Sequence, residues 1–495
     1  MDKIKSIYHK YPNITILIIS IILGFLSALF INQISSFIYT LSSGQDFSLD
    51  ASSFLYGGKL LLLGYKPYFD MYETKGIYIF YYSALGNLLG GRIGMIFIQT
   101  ITLSITYYFF FKTLLVYEIR FIASLLGLMT FASIYNLIGQ SPSVTEIVLP
   151  MTSIALYFYI NAVKEDNDRY YLYGNIANGV AVGLAINSRP TDAIIAFSLV
   201  IYFAVIEVIH KKYLNILTNA GVCILAIVLT SLPAFIHGLA GGFLYEMYDA
   251  AIFSNFSYVS GTHSGASTFK LSARIIITFI LLVMLTLIFI AYRKKKFNLE
   301  ETLFYTISIS ISLIIQFVIA FYLHYLLIEI PLLVLLVTRF ITSFNLSKRT
   351  SIIFASIVGV LTLASYITHP IIYYTNEYQR DIEINEYVKS VIDEEDRNKN
   401  VMGYNISCSI YLNNDITVGY GNYTFQSNHI STSKVFTLDA LIEYSKSIKY
   451  IIIDNRIAES DKGDPYLEWL YNESGYIRDI STLKGAEHIS IYINE

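Results

Sequence analysis

Long apolar runs dominate this sequence and limit what it can fold into. The first run extends from about Ile14 to Phe37 and is long enough to cross a bilayer, which needs about 20 residues. It lacks a small-residue cleavage site and exceeds a signal-peptide core, so we interpret it as a retained anchor. Further runs of this kind continue to about residue 370. The sequence therefore predicts a mainly α, polytopic membrane protein of about eleven transmembrane helices.

The remaining predicted spans each have about the length that a bilayer requires. They are residues 94–111, 120–139, 146–163, 172–188, 192–209, 215–236, 271–292, 301–321, 325–344 and 351–369.

The charge content excludes other classes of protein. Only 14% of the residues are charged, against about 25% in soluble domains, and 55% are hydrophobic. The net charge of −3 provides no basic surface, which excludes nucleic-acid binding. The 43 tyrosines against one tryptophan indicate an AT-rich, bacterial genome. Cys223 and Cys408 are too far apart to indicate a disulfide framework or a metal site.

Residues 77–90 decide the topology. This apolar segment has about 14 residues, fewer than a span needs. If it does not cross, the later lysine and arginine clusters lie on the side of the N-terminal lysines, which is the cytoplasm by the positive-inside rule. We therefore predict that 77–90 is an amphipathic helix in the interface. The outer face then carries a first loop of about 38–93, a loop of about 237–270 and everything after 370.

The chain after residue 370 changes character. Charged residues become frequent, and short β-rich runs follow, including the buried-strand pattern Tyr450-Ile-Ile-Ile-Asp454. We predict two domains: residues 1–370 form the membrane-embedded catalytic domain, and 371–495 form a small extracytoplasmic α/β domain. The sequence has no inverted pair of broken helices, and this weakens a transporter interpretation.

The first outer loop concentrates charge between apolar segments. Its ionisable residues are Asp46, Asp50, Lys59, Lys66, Asp70, Glu73 and Lys75. Asp50 directly precedes Ala51-Ser52-Ser53-Phe54, a position that suits the N-cap of a short helix lying on the membrane. A carboxylate just above the membrane also suits a general base, with lysines beside it for an anionic partner. The spacing alone leaves both interpretations open.

Three patterns in this loop resemble a known enzyme class. They are Asp50-x-Ser52-Ser53-Phe54-Leu55-Tyr56-x-Gly58-Lys59, Gly64-x-x-Pro67-Tyr68-x-Asp70 and Glu73-x-Lys75-Gly76. The loop resembles that of GT-C membrane glycosyltransferases, most of all bacterial relatives of the protein O-mannosyltransferases and the lipid A aminoarabinose transferase. The resemblance covers about 14–190 and, more loosely, 240–335. It implies transfer of a sugar from a polyprenyl-phosphate carrier, outside the cytoplasmic membrane, with inversion at the anomeric carbon.

The resemblance implies roles for individual residues. Asp50 matches the first-loop aspartate that serves as catalytic base, with Asp46 as the fallback. Lys75 matches the lysine that contacts the carrier phosphate, although Gly76 replaces the customary proline after it. Arg189 matches the arginine of an Arg-Pro-Asn pattern and Tyr325 the tyrosine of a Tyr-x5-Pro pattern, which implies that both bind the donor phosphate. Arg189 also suits an arginine that merely extends to the interface.

Five further residues are weaker site candidates. Asp70 and Glu73 belong to the loop patterns, and Glu146 ends a stretch that resembles the family's Asn-x-Thr-Glu. Glu146 is also explained as a carboxylate at a helix start, and His324 as a structural histidine at the interface. Glu329 lies about one turn into an apolar span, where carboxylates are usually functional or paired. The carboxylates form no clear ligand cluster, so no cofactor is required and a divalent metal is possible but not indicated.

These features favour an integral membrane glycosyltransferase with Asp50 as general base. Its partners would be a polyprenyl-phosphate-linked sugar donor, membrane lipids, and a cell-surface glycan, lipid or protein as acceptor. It would reside in the cytoplasmic membrane, with the N-terminus inside and the C-terminal domain outside. Two alternatives remain: a glycan polymerase of the outer face, and a non-enzymatic transporter or lipid flippase.

Overall fold

Helices make up most of the chain. The computed structural model describes residues 10–35, 47–71, 73–117, 119–139, 142–165, 167–253, 268–318, 323–344, 348–376, 378–418, 437–455, 464–479 and 488–494. The helices up to residue 376 are α1 Pro12–Ser35, α2 Phe47–Leu62, α3 Tyr78–Leu88, α4 Arg92–Val116, α5 Phe121–Ile138, α6 Val144–Glu165, α7 Asp168–Ile186, α8 Ile194–Ile209, α9 Tyr213–Gly241, α10 Leu244–Tyr248, α11 Thr268–Arg293, α12 Leu299–Val318, α13 Ile330–Ser343 and α14 Lys348–Asn376. Short 3-10 helices cover Pro190–Ala193 and Leu323–Ile328.

Each predicted span overlaps one of these helices. In the described part of the chain, seven segments are long and apolar enough to cross a membrane: Pro12–Phe30, Arg92–Val116, Phe121–Ile138, Val144–Glu165, Pro190–Ile209, Tyr213–Gly241 and Ile275–Arg293. Two apolar helical stretches are shorter, Ile330–Ser343 and Ala355–Thr368. The predicted mainly helical, multi-pass membrane fold is confirmed, whereas the count of eleven crossing helices stays a prediction.

Two helices of the first loop pack against each other. Helix α3, Tyr78–Leu88, has 11 residues and is therefore about 16 Å long, about half the thickness of the hydrocarbon core. Its length supports the prediction that residues 77–90 do not cross. Helix α2 approaches α3 closely at Gly58, where an added Cβ would lie 2.5 Å from the backbone nitrogen of Ala84. A glycine is thus required for this contact.

The segment after α14, which we call the C-terminal segment (residues 378–494), combines helices with a small sheet. Its helices are α15 Tyr378–Val391, α16 Ser409–Asn413, α17 Leu438–Ser445 and α18 Pro465–Asn472, and its strands are β1 Val401–Tyr404, β2 Tyr450–Asp454, β3 Ile477–Arg478 and β4 Ile489–Ile493. The strand order is β1-β2-β4-β3, with β1 parallel to β2 and the other two pairs antiparallel. The predicted strand Tyr450–Asp454 is confirmed: it is central and buried along its whole length.

The apolar core of the first loop continues into the C-terminal segment. One cluster of buried side chains joins Tyr56 and Phe80 from the loop to Tyr411 and Ile416 from the segment. A second cluster fills the helical bundle, and a third lies within the C-terminal segment. Helix α14 runs to Asn376, past the predicted domain boundary at 370. The loop and the C-terminal segment therefore share one apolar core.

Candidate functional site

A small cavity brings together three residues that the sequence singles out. It is bordered by Asp50, Lys75 and Arg189, which come from α2, the loop before α3, and the start of the Pro190–Ala193 helix. The remaining lining residues are Phe54, Ser143, Val144, Thr145 and Leu327. One predicted base and two predicted phosphate ligands thus face the same space.

Asp50 lies in the first turn of α2. The helix begins at Phe47, so Asp50 is its fourth residue and not its N-cap; that prediction is wrong. The reason is that the helix starts upstream of the serine-rich run used to place the cap. A carboxylate in the first turn interacts favourably with the helix dipole. Asp50 is half-buried, and Phe54, one turn further along α2, lines the same cavity.

Lys75 is held beside a carboxylate. Its Nζ donates a hydrogen bond to Oγ1 of Thr74 at 3.0 Å and lies 3.7 Å from Oε1 of Glu73. The same Glu73 oxygen accepts hydrogen bonds from the backbone N–H of Thr74 at 2.8 Å and from its hydroxyl at 3.2 Å. Glu73 therefore shapes the turn that carries Lys75 and partly balances its charge.

The segment that carries Lys75 is joined to the one that carries Arg189. The backbone N–H of Gly76 donates to the carbonyl of Ser188 at 2.7 Å, and that of Tyr78 donates to Asn187 at 3.0 Å. A Cβ at residue 76 would lie 2.2 Å from the Asn187 carbonyl oxygen. Gly76 thus permits the contact that places the segment of Lys75 beside the segment of Arg189.

Arg189 makes a buried, two-point ion pair. Its Nε and Nη2 donate to Oδ1 of Asp192 at 3.0 and 2.7 Å, and Nη2 also reaches Thr145 Oγ1 at 2.6 Å. Thr145 in turn donates to Oδ2 of Asp192 at 3.1 Å. Arg189 is thus buried and held at the cavity by two side chains. Sequence reasoning missed Asp192 and Thr145, for which the only signal is the three-residue spacing between Arg189 and Asp192.

A strained turn supports Lys75 from the other side. Tyr68 has φ 67°, a left-handed conformation that is rare for a bulky residue, and its hydroxyl donates to the Lys75 carbonyl at 2.8 Å. Asp70 holds this turn, because its Oδ2 accepts from the Lys66 backbone N–H at 2.7 Å. Asp70 does not line the cavity. Asp70 therefore stabilises the turn whose Tyr68 contacts Lys75, the predicted phosphate ligand.

Glu146 is buried behind the cavity wall. Its carboxylate accepts hydrogen bonds from Gln99 Nε2 at 2.7 Å, from the Tyr135 hydroxyl at 2.8 Å and from the Ser143 backbone at 3.3 Å. These bonds link α4, α5 and α6, and Ser143 is itself a lining residue. Glu146 does not line the cavity; it holds α4, α5 and the lining residue Ser143 together.

Three other candidates lie near the 3-10 helix Leu323–Ile328. Its Leu327 lines the cavity, and His324 and Tyr325 belong to the same helix, but their side chains lie outside the described part of the chain. Glu329 follows directly; it is fully buried, and neither of its oxygens has a hydrogen-bond partner among the described residues. Asp46, the fallback base, lies outside the described residues.

A larger cleft of about 1280 Å³ lies next to the site. Apolar side chains of α5, α11 and α13 line its middle, including Leu126, Leu281 and Val334. Leu326 lines the cleft and its neighbour Leu327 lines the small cavity, so both spaces border the same 3-10 helix. The opposite end of the cleft carries charged residues: Arg120, Lys164, Glu300, Glu301 and Arg339. Among the described residues, no group of three or more His, Cys, Asp or Glu side chains is placed to hold a metal ion.

Comparison with known proteins agrees with the resemblance to GT-C membrane glycosyltransferases. Residues 76–235, about a third of the chain, match the family described as dolichyl-phosphate-mannose-protein mannosyltransferase. The crystal structure of ArnT from Cupriavidus metallidurans bound to undecaprenyl phosphate superimposes with a TM-score of 0.60, at 10% identity, over 97% of this chain and 98% of that one. No curated protein matches significantly. At this identity the structural likeness identifies the fold, which is that of the GT-C class.

Proposed function

Because this chain has a GT-C-type membrane fold and its residues 76–235 match a family of mannosyltransferases, we propose that it is a membrane glycosyltransferase using a polyprenyl-phosphate-linked sugar. The observation that carries the proposal is the shared cavity of Asp50, Lys75 and Arg189. A carboxylate opposite two cations is what displacement of a phosphate from an anomeric carbon requires. Asp50 and Lys75 precede the matched range, so their roles rest on the motifs and on this geometry.

The proposed reaction is a single displacement. The acceptor hydroxyl oxygen attacks the anomeric carbon while Asp50 removes its proton, and the bond from that carbon to the phosphate oxygen breaks on the opposite face. The anomeric configuration inverts, and the carrier leaves as a polyprenyl phosphate. No strong acid is needed, because a phosphate is already a good leaving group. The carboxylate remains protonated until it returns the proton to solvent.

The two cations would have unequal roles in this reaction. Arg189 shares its charge with Asp192 in a rigid pair, and such a fixed guanidinium suits orientation of a phosphate. Lys75 has a looser contact, 3.7 Å from Glu73, and its side chain is 18% exposed. We assign the main neutralisation of the leaving phosphate to Lys75 and its alignment to Arg189. Tyr325 is a further proposed phosphate ligand.

The neighbouring cleft suits a lipid-linked donor. Its middle is apolar, and it borders the 3-10 helix whose Leu327 lines the cavity, so we propose that the carrier chain lies there with its phosphate toward Lys75. Apolar chains enter such a cleft from the bilayer without losing favourable contacts. We propose that the donor approaches from the membrane and the acceptor from outside the cell, with the N-terminus cytoplasmic and the C-terminal segment extracytoplasmic.

Mass spectrometry of surface glycans tests the proposed activity. Cells that lack this protein should lose a defined sugar from a glycan, lipid or protein of the cell surface, and the lipid-linked donor should accumulate. A glycan polymerase would instead shorten a whole polymer. A flippase would leave every linkage intact on the transported molecules and change only their location. Either of these last two results would contradict the proposal.

Binding of undecaprenyl phosphate to the purified protein tests the phosphate ligand. Lys75→Ala should weaken binding about 10- to 100-fold, because a hydrogen bond to a charged group contributes about 1.5–3 kcal/mol. Lys66→Ala is the matched control, since Lys66 is an exposed lysine of the same loop and lies outside the cavity. Equal affinities of the two variants would contradict the role of Lys75.

A further inference from the structure

The C-terminal segment packs against α2, the helix that carries Asp50. Ser52 Oγ lies 3.2 Å from Ser407 Oγ, and Ser53 Oγ donates to the sulfur of Cys408 at 3.6 Å. All four side chains are buried. These contacts begin two residues after Asp50, so the first turns of α2 are fixed by residues more than 350 positions away in the sequence.

Tyr56 makes the most extensive of these contacts. Its hydroxyl donates to the carbonyl of Ile416 at 3.1 Å and accepts from the backbone N–H of Val418 at 3.0 Å. Its ring packs on Tyr411, with ring centroids 5.0 Å apart. The side chain is fully buried. Lys59, further along α2, lies 3.6 Å from Asp415 in an ion pair.

The face of α2 that contacts the C-terminal segment differs from the face that forms the site. At about 100° per residue, Asp50 and Phe54 lie within about 40° of each other, whereas Ser52 is turned about 160° from both. Tyr56 is turned about 120° from Asp50 and about 160° from Phe54, so Ser52 and Tyr56 contact the segment from a side of α2 that faces away from the cavity. A shift of the segment would be transmitted through α2 directly to Asp50.

The predicted phosphate ligands are anchored elsewhere. Lys75 and Arg189 are joined through the backbone bonds of Gly76 and Tyr78 to Ser188 and Asn187, which belong to the helical bundle. The C-terminal segment takes no part in those bonds. The segment also reaches the Lys75 loop at Tyr65, whose hydroxyl donates to the carbonyl of Val418 at 2.6 Å. The pairing of the Lys75 and Arg189 segments has backbone bonds of its own, whereas α2 is held by the segment next to Asp50.

We propose that the C-terminal segment positions Asp50 for proton removal, and that Tyr56 is the positioning residue through which it acts. This inference rests on the proposed function. It assigns the segment a part in the chemical step and none in binding the donor phosphate. The expected signature is a loss of transfer with unchanged affinity for the carrier.

The test uses the full-length Tyr56→Phe variant, which keeps the ring and removes both hydroxyl hydrogen bonds. We expect the transferred sugar per molecule of protein in cells to fall about tenfold, since small displacements of a reacting group have effects of this size or larger. The affinity of the purified variant for undecaprenyl phosphate should stay within about twofold of the wild type, because Tyr56→Phe leaves in place the backbone bonds of Gly76 and Tyr78 and the bond from Tyr65 to Val418. Hydrogen exchange of the α2 amides should become faster.

A control and a second variant keep the outcome interpretable. Tyr404→Phe removes a buried hydroxyl bond to Asp464 inside the C-terminal segment and should leave transfer unchanged. Ser407→Ala removes a contact from the other side of the same interface and should repeat the Tyr56→Phe pattern. If both interface variants transfer at the wild-type rate, or lose carrier affinity in parallel with transfer, the inference is overturned. If the wild type transfers no sugar at all, the proposed function itself is overturned.

Discussion

At the scale of single residues, the site is defined by how its charges are paired. Arg189 is bound at two points by Asp192, whereas Lys75 lies 3.7 Å from Glu73. A buried arginine without its carboxylate would retain an uncompensated charge, which is costly in a region of low polarity. The ion pair with Asp192 therefore stabilises the buried charge of Arg189 at the cavity wall.

Asp192→Asn should destabilise the protein. The variant keeps the shape of the side chain but removes the negative charge that balances the guanidinium, and breaking a buried ion pair costs about 3–5 kcal/mol. The measurement is the thermal unfolding midpoint in detergent, with Asp439→Asn, on an exposed face of α17, as the control. If the two variants have the same midpoint, Asp192 does not stabilise Arg189.

Sequence reasoning reached the three charged residues of the cavity but not their partners. Asp50, Lys75 and Arg189 stand in local patterns that resemble known motifs. Asp192 is a single carboxylate at the start of an apolar run, where no period or motif distinguishes it. These distant segments meet at one cavity because of the way the helices pack, and no local sequence pattern reports that packing.

At the scale of structural elements, the close contact between the Lys75 loop and the end of α7 sets the spacing of the phosphate ligands. The two backbone bonds through Gly76 and Tyr78 resemble a short strand pairing. In the sequence, Gly76 is notable only because it replaces the proline of the motif that the loop resembles. The contact explains why this position has no side chain.

Gly76→Ala should weaken binding of undecaprenyl phosphate. The new methyl group would meet the Asn187 carbonyl and push the lysine and arginine segments apart. We expect a loss of about tenfold or more, since ligand groups must be held within about 0.5 Å. Gly221→Ala is a suitable control, because a Cβ there meets nothing within 4 Å. Equal binding by both variants would show that the contact does not set the site.

At the scale of the whole molecule, the charge pattern predicts which segments face which side. The lengths of the apolar runs predicted the helices well, since each predicted span overlaps a helix. The shared core of the first loop and the C-terminal segment was not predictable, because its halves lie far apart in sequence and carry separate local patterns. The orientation in the membrane is a prediction from the positive-inside rule.

Cysteine labelling tests this orientation. In a chain with both native cysteines replaced by alanine, a cysteine at the exposed Asp439 should react with a membrane-impermeant maleimide on intact cells. A cysteine at the exposed Arg169 should react only after permeabilisation. The reverse pattern would place the proposed site on the cytoplasmic side and contradict the donor and acceptor routes.

The most direct measurement of the central claim is the glycan profile of cells that carry only Asp50→Asn. Asparagine keeps the size of the side chain but cannot accept the acceptor's proton. We expect the transferred sugar to disappear, while the variant reaches the membrane like the wild type and, once purified, binds undecaprenyl phosphate with the same affinity. Transfer at the wild-type level by Asp50→Asn would contradict the assignment of Asp50 as the base.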